Sequence, residues 1–145
     1  MNKKQFLVEF LPRIQWVIQG FLLYLGVKYY NFNFSSNILL NIVAWMLIVI
    51  GSLIIIWIVV HVGKRMVVKN LITGGPYGLV RHPMYSAMYL ILIGVGLLLS
   101  SYTWFIILIV FIPLWYLVGK AEEWQMTSLY GEKYTEYQKK TKMFF

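Results

Sequence analysis

Two long stretches of the chain carry no Lys, Arg, Asp or Glu: 35 residues separate Lys28 from Lys64, and 38 separate Arg81 from Lys120. A membrane-crossing helix needs about 20 apolar residues. The first stretch therefore holds one helix, near Ile38–Val62, entered from the polar loop Asn31-Phe-Asn-Phe-Ser-Ser-Asn37, whose Asn and Ser favour turns. The second is too long for one helix and breaks at Ser100-Ser101, which predicts a hairpin of Met84–Leu99 and Tyr102–Gly119 joined by a very short turn. A weaker span covers about Ile14–Val27, with Phe6–Leu11 before it carrying Glu9 and interrupted by Pro12-Arg13. The basic Met1–Lys4 start resembles the first part of a signal peptide. Glu9, Pro12 and Arg13 break the apolar run, however, and no small-residue cleavage pattern follows, so the segment is expected to be retained. After Gly119 the chain turns polar and amphipathic, with Trp124, Tyr130, Tyr134 and Tyr137 spaced for helix faces and Gly131 as a break. The pattern predicts an all-α integral membrane helical bundle, a single domain over residues 1–145. It has about four transmembrane helices, an amphipathic cytoplasmic C-terminal helix and no internal repeat.

Composition sharpens this picture. With 60% hydrophobic and 12% charged residues among 145, against about 45–50% and 25% in soluble domains, a water-soluble globule is excluded. Thirteen Lys and Arg against five Glu give a net charge of +8. On so apolar a chain that excess points to anionic headgroups and topology before nucleic acid, and no nucleic-acid partner is expected. With four spans, the start of the chain, the Gly63–Pro83 loop and the tail share one side, leaving only Lys28 opposite. By the positive-inside rule the shared side is cytoplasmic, with both termini and any site built there. The absence of cysteine removes disulfides, thiolate nucleophiles and Cys-ligated metals. Two histidines, His61 and His82, without Asp or Cys make a poor metal-ligand set.

The conspicuous polar groups gather on that one side. Thr73-Gly-Gly-Pro-Tyr-Gly-Leu-Val-Arg-His-Pro-Met-Tyr85 combines glycines that permit tight turns with Pro83, which suits the first turn of a helix. The hairpin then brings Lys120, Glu122 and Glu123 back to the face it left, so His82 and Glu122 are expected as neighbours. Taken singly, these residues have plain structural roles. Arg81 can be an interfacial anchor, His82 a helix cap, His61 a span end, Glu122 and Glu123 solvated partners of lysines, and the Tyr130/Tyr134/Tyr137 stripe interfacial packing. Adjacent helical positions lie about 100° apart, so at most one of the two glutamates is expected to face a pocket. No Ser/His/Asp array, P-loop or dinucleotide fingerprint is present.

Taken together, Gly75-Pro76-Tyr77, Arg81-His82-Pro83-Met84-Tyr85, Glu122-Glu123 and Tyr130-Gly131-Glu132-Lys133-Tyr134-Thr135-Glu136-Tyr137 resemble the isoprenylcysteine carboxyl methyltransferase family and its phospholipid methyltransferase relatives. The resemblance covers about residues 69–140, with the hairpin 84–119 inside it. It implies an integral membrane methyltransferase that uses S-adenosylmethionine, acting on a lipid-like or small hydrophobic acceptor of the prenylcysteine carboxylate or phospholipid amine class. By motif position, Tyr77, His82, Pro83, Met84, Tyr85 and Glu122 resemble cofactor contacts. Lys69-Asn70-Leu71-Ile72 matches a further cofactor segment, with Lys69 where relatives often have His. Arg81, Glu122 and Glu123 are the implied catalytic residues. Val118 stands where the eukaryotic prenylcysteine enzymes have a carboxylate-binding Arg, which argues against a carboxylate acceptor.

The residue types suit the implied chemistry. The cofactor presents an ammonium, a carboxylate, a sulfonium and an adenine. Glu122 suits the first, backbone amides near a helix start with His82 and Arg81 the second, and Tyr77, Met84 and Tyr85 the apolar remainder. Methyl transfer is an in-line displacement dominated by positioning of the acceptor; Glu123 or a tyrosine is available to take an amine proton. Two other readings stay open: a reductase, since sterol reductases share a similar Arg-His-Pro region but bind NADPH, and a non-catalytic membrane subunit whose basic face binds anionic lipid.

Overall fold

The computed structural model describes residues 3–29, 32–63 and 71–144. They form α1 (Lys3–Tyr29), α2 (Ile38–Gly63), the short α3 (Pro76–Leu79), α4 (Pro83–Leu98), α5 (Tyr102–Tyr130) and α6 (Glu132–Lys140). Among the described residues there is no strand beyond two isolated bridges, Asn33 with Ser101 and Val80 with Lys142. By length and composition α2 and α5 can each cross a membrane, and α4 is apolar but shorter. The protein is an all-α membrane bundle.

Two boundaries differ from the sequence expectation. Helix α1 does not begin near Ile14 but runs through Pro12 from Lys3. A proline removes one backbone hydrogen bond, and in a long helix the turns on either side hold the line. Helix α5 does not stop at Gly119 but continues to Tyr130. The residues that follow, Lys120, Ala121, Glu122 and Glu123, are good helix formers, and the breaker is Gly131, whose φ of 57° is left-handed. The second arm of the hairpin and the start of the polar tail are thus one continuous helix.

The helices run between two ends. At one, the α1–α2 connection meets the α4–α5 turn: Tyr102 N donates to Phe32 O (2.8 Å) and Phe34 N to Ser100 O (2.9 Å). Ser101 caps α5 by accepting from Trp104 N. At the other end α3, the start of α4, the last turns of α5 and α6 converge.

Helix α2 packs along α4, and α1 along α5. The first pair is held by small residues. A methyl group placed on Gly51 would lie 2.7 Å from the Ala87 carbonyl oxygen, and one on Gly94 would lie 2.7 Å from that of Ala44. Ala44 and Gly51, one heptad apart, therefore face Gly94 and Ala87 in antiparallel register, letting the two backbones approach closely. On the outward face of α2, Ile42, Trp45, Val49, Leu53 and Ile56 are exposed, as lipid contact requires. Gly94→Leu should therefore destabilise the protein by about 1–3 kcal/mol through overpacking against backbone. Gly20→Leu is the control, because no atom lies within 4 Å of a Cβ there. Thermal unfolding in detergent checks this, and equal melting of the two variants would refute the close-approach account. In the second pair, Trp115 Nε1 donates to Gln19 Oε1 at 2.9 Å, and Trp16 meets Trp115 edge-on at 4.7 Å.

Candidate functional site

Pro76 and Pro83 are almost completely buried and start α3 and α4, fixing the path of the connector between them. His82 occupies the N-cap position of α4, but its side chain does not cap the helix. It turns toward α5 instead, with Nδ1 3.4 Å from Glu122 Oε2 and Nε2 3.4 Å from Glu123 Oε1. Tyr85, one turn into α4, donates its hydroxyl to Glu122 Oε1 at 2.5 Å. The α4–α5 hairpin has thus brought together residues 40 positions apart in sequence.

The two adjacent carboxylates have separate surroundings. Glu123 is 2% exposed. It accepts from Arg81 Nε at 2.5 Å and from Gln138 Nε2 at 3.1 Å, with Lys120 Nζ 3.5 Å away. Arg81 Nη1 also donates to the carbonyls of Gln138, at 3.0 Å, and Thr141. One guanidinium therefore ties the α3–α4 connector to α5 and to the chain beyond α6. Glu122, a helical step away, faces a cavity of about 460 Å³.

Leu71, Ile72 and Tyr77 line one part of this cavity, and Arg81, His82, Pro83, Met84 and Tyr85 another. Glu123 does not line it, and Lys69 and Asn70 lie outside the described residues. Val62, Met126, Tyr130, Tyr134 and Tyr137 complete the wall and were not expected there. The one available signal was the Gly131-x-x-Tyr134-x-x-Tyr137 spacing, which interfacial packing explains equally well. Tyr134 and Tyr137 are in fact buried, and Tyr137 donates to the Tyr77 carbonyl at 2.5 Å.

Burial by itself would lower the His82 pKa, but hydrogen bonds and charge from Glu122 and Glu123 outweigh it, and the net shift is upward from 6.5. Burial, with the Glu122 charge behind it, raises Tyr77. Burial likewise raises Tyr134, and pushes Tyr137 up to about 12. These phenols are proton donors at neutral pH. Because the folded pKa of His82 is raised, its contribution to stability is fully present below about pH 6.5 and is lost as pH rises through the folded value. Histidine-selective NMR should show His82 titrating above 6.5 and shifting down in Glu122→Gln. Titration below 6.5 in the parent protein would mean that burial, not the carboxylates, governs the ring.

Between α4 and α5 lies a second cavity, of about 420 Å³ and mostly apolar, lined by Tyr85, Tyr89, Leu90, Ile93 and Ile112 among others. Trp115 forms its back wall, edge-on to Tyr85 at 5.2 Å and to Tyr89 at 4.9 Å. Tyr85 is common to both cavities.

A family model, phospholipid methyltransferase, matches residues 39–133. The chain belongs to the phospholipid methyltransferase family. Membership makes it a membrane methyltransferase acting on lipid. The matched stretch runs from the first turn of α2 into α6 and takes in every site residue expected from the sequence. Helix α1, Tyr134, Tyr137 and residues 141–144 lie outside it. No curated protein and no solved structure matches the chain.

Proposed function

We propose that this protein carries a methyl group from S-adenosylmethionine, held in the cavity that Arg81, His82 and Glu122 border (the polar cavity), to a lipid amine whose chain lies in the second, apolar cavity. The observation that carries the reading is the shared wall: Tyr85 borders both cavities and is hydrogen-bonded to Glu122.

The polar cavity fits the methyl donor. Glu122 is its only acid among the described lining residues, with a side chain 30% exposed, and suits an ammonium. The first-turn amides of α4, which lack intrahelical partners, suit a carboxylate. Met84, Met126 and the tyrosines supply the apolar walls an adenine needs. When bound, S-adenosylmethionine supplies an activated methyl carbon for in-line displacement. The residues then have three tasks: holding the donor, holding the acceptor nitrogen in line, and excluding water. Tyr77, Tyr134 and Tyr137 keep their protons, which leaves His82 and Glu122 as the groups in the wall able to receive one from the amine.

An amine is favoured over a carboxylate because the Arg81 guanidinium is already committed to Glu123, Gln138 and Thr141. Val118 is buried and offers no charge. Lys120, the cation nearest that helix turn among the described residues, is drawn to Glu123 at 3.5 Å, and a carboxylate entering without a charged partner meets a desolvation penalty of several kcal/mol. Calorimetry of the detergent-purified protein should show S-adenosylmethionine binding and no NADPH binding. A radiolabelled methyl-transfer assay should then favour phosphatidylethanolamine over a prenylcysteine analogue. Binding of NADPH alone would sink the reading, and efficient methylation of the prenylcysteine analogue would sink its amine part.

The same reading sets the site end of the bundle in the cytoplasm. Lys120, Lys133, Lys139, Lys140 and Lys142 belong to that end, while Lys28 ends α1 at the other, and basic residues favour the inside. Cysteines introduced at Ser35 and at Lys139 should label from opposite faces of sealed vesicles, Lys139 from the inside. Labelling from one face would show that the four-span arrangement is wrong.

A further inference from the structure

Beside the two cavities lies a stretch of chain that the sequence motifs and the family match both leave out. Beyond α6, residues 141–144 lie along the α3–α4 connector: Arg81 N donates to Lys142 O at 2.8 Å and His82 N to Met143 O at 3.1 Å. The Arg81 guanidinium holds the same stretch through the Gln138 and Thr141 carbonyls. Its side chains seat on α5 where position 119 has none. A Cβ on Gly119 would stand 2.5 Å from Met143 Cε and 3.4 Å from Phe144 Cζ. Phe144 thereby reaches the wall of the apolar cavity. Its ring lies 5.6 Å from that of His82 and 6.5 Å from that of Tyr85, and both of those residues line the polar cavity.

We propose that Phe144 is a specificity-determining residue. With Tyr85 it frames the passage from the apolar to the polar cavity and limits the bulk of the head group that can reach Glu122. The proposal rests on the acceptor reading above and deepens it. The physical basis is how the ring is mounted. Main-chain hydrogen bonds to the carbonyls of Lys142 and Met143 hold the segment up to the residue before Phe144, Phe144 packs toward position 119 of α5, and an aromatic side chain has few torsions with which to yield. A slim primary amine on an alkyl chain passes. A nitrogen carrying further alkyl groups meets the ring. Because the pinning bonds are main-chain, shortening the side chain opens the passage and leaves the segment in place.

The test uses the full chain in detergent, without methyl donor, and measures calorimetrically the binding of dodecylamine and N,N-diethyldodecylamine. Partitioning into micelles is common to all protein variants and cancels between them. The parent protein should prefer the slim amine by about tenfold or more, the scale on which a pocket resists added methylenes. Phe144→Ala should narrow that preference to about twofold and Phe144→Leu should fall between, in line with the volume removed. Melting temperatures should stay close to that of the parent. Indifference of the parent to bulk, failure of dodecylamine to bind, or an unchanged preference in a folded Phe144→Ala protein would each overturn the proposal. The underlying reading is scored separately by S-adenosylmethionine binding to the parent. A protein that ignores the methyl donor yet loses its preference in Phe144→Ala keeps the size filter and loses the methyl-transfer assignment.

Discussion

Arg81→Ala should destabilise the folded protein by about 3–5 kcal/mol, the usual consequence of removing one partner from a buried ion pair. The Arg81 and Glu123 side chains are only 10% and 3% exposed and meet at 2.5 Å, so neither charge has water to fall back on. The loss goes beyond the pair, because the guanidinium also serves the carbonyls of Gln138 and Thr141. Glu123→Gln should be milder than Arg81→Ala, since an amide of the same shape still accepts from Arg81. The combined replacement Arg81→Met with Glu123→Leu should recover much of the stability, because apolar substitutes remove both desolvation penalties together. Denaturant unfolding in detergent, followed by tryptophan fluorescence, measures all three. A near-neutral Arg81→Ala would mean that the clasp contributes little and that Arg81 matters only through the cavity it borders.

Glu122→Gln should do the opposite, lowering S-adenosylmethionine affinity with little effect on melting. A hydrogen bond to a charged group contributes about 1.5–3 kcal/mol, which is roughly a 10- to 150-fold change in dissociation constant. The substitution keeps the shape of the side chain and an acceptor for the Tyr85 hydroxyl, and removes the charge offered to the cavity and to His82. His82→Ala should also weaken binding. The double variant should fall short of the sum, since the two groups share one surrounding and one ligand. Calorimetry on the four proteins completes the cycle. Parent-like affinity in both single variants would remove the polar cavity from the methyl-donor assignment, while leaving family membership untouched.

The contrast between two neighbouring glutamates also shows how far the primary structure can be read. Helical spacing says that only one of Glu122 and Glu123 faces a pocket; it does not say which. The choice follows from where Arg81 and Gln138 lie, which depends on a connector and a helix far away in the chain. The aromatic wall is a second case. Tyr134 and Tyr137 have the spacing of a helix face, but whether that face meets lipid or the cavity is decided by the turn at Gly131 and by the hydrogen bond from Tyr137 that ties α6 to the Tyr77 carbonyl of α3. Two helices run longer than the pattern suggests for a local reason: Pro12 reads as an interruption and the polar turn after Gly119 as the end of a span, and each is absorbed within a longer helix. The heptad-spaced Ala44, Gly51, Ala87 and Gly94 carry little hydrophobic signal and become meaningful only once α2 and α4 are seen in contact.

By itself the sequence determined the all-α membrane architecture, the apolar runs that form its helices, and the return of His82 and Glu122 to one end of the bundle. These follow from one-dimensional quantities: the length of uncharged runs, the placement of basic residues, and the fact that a hairpin returns the chain to the face it left. Only the tertiary structure decided that Glu122 faces the cavity while Glu123 locks to Arg81, that Tyr85 borders two cavities, and that residues 141–144 pair with the α3–α4 connector. Those outcomes depend on distances between segments far apart in the chain, and such distances are set by packing, backbone pairing and the desolvation of charge, none of which local spacing encodes.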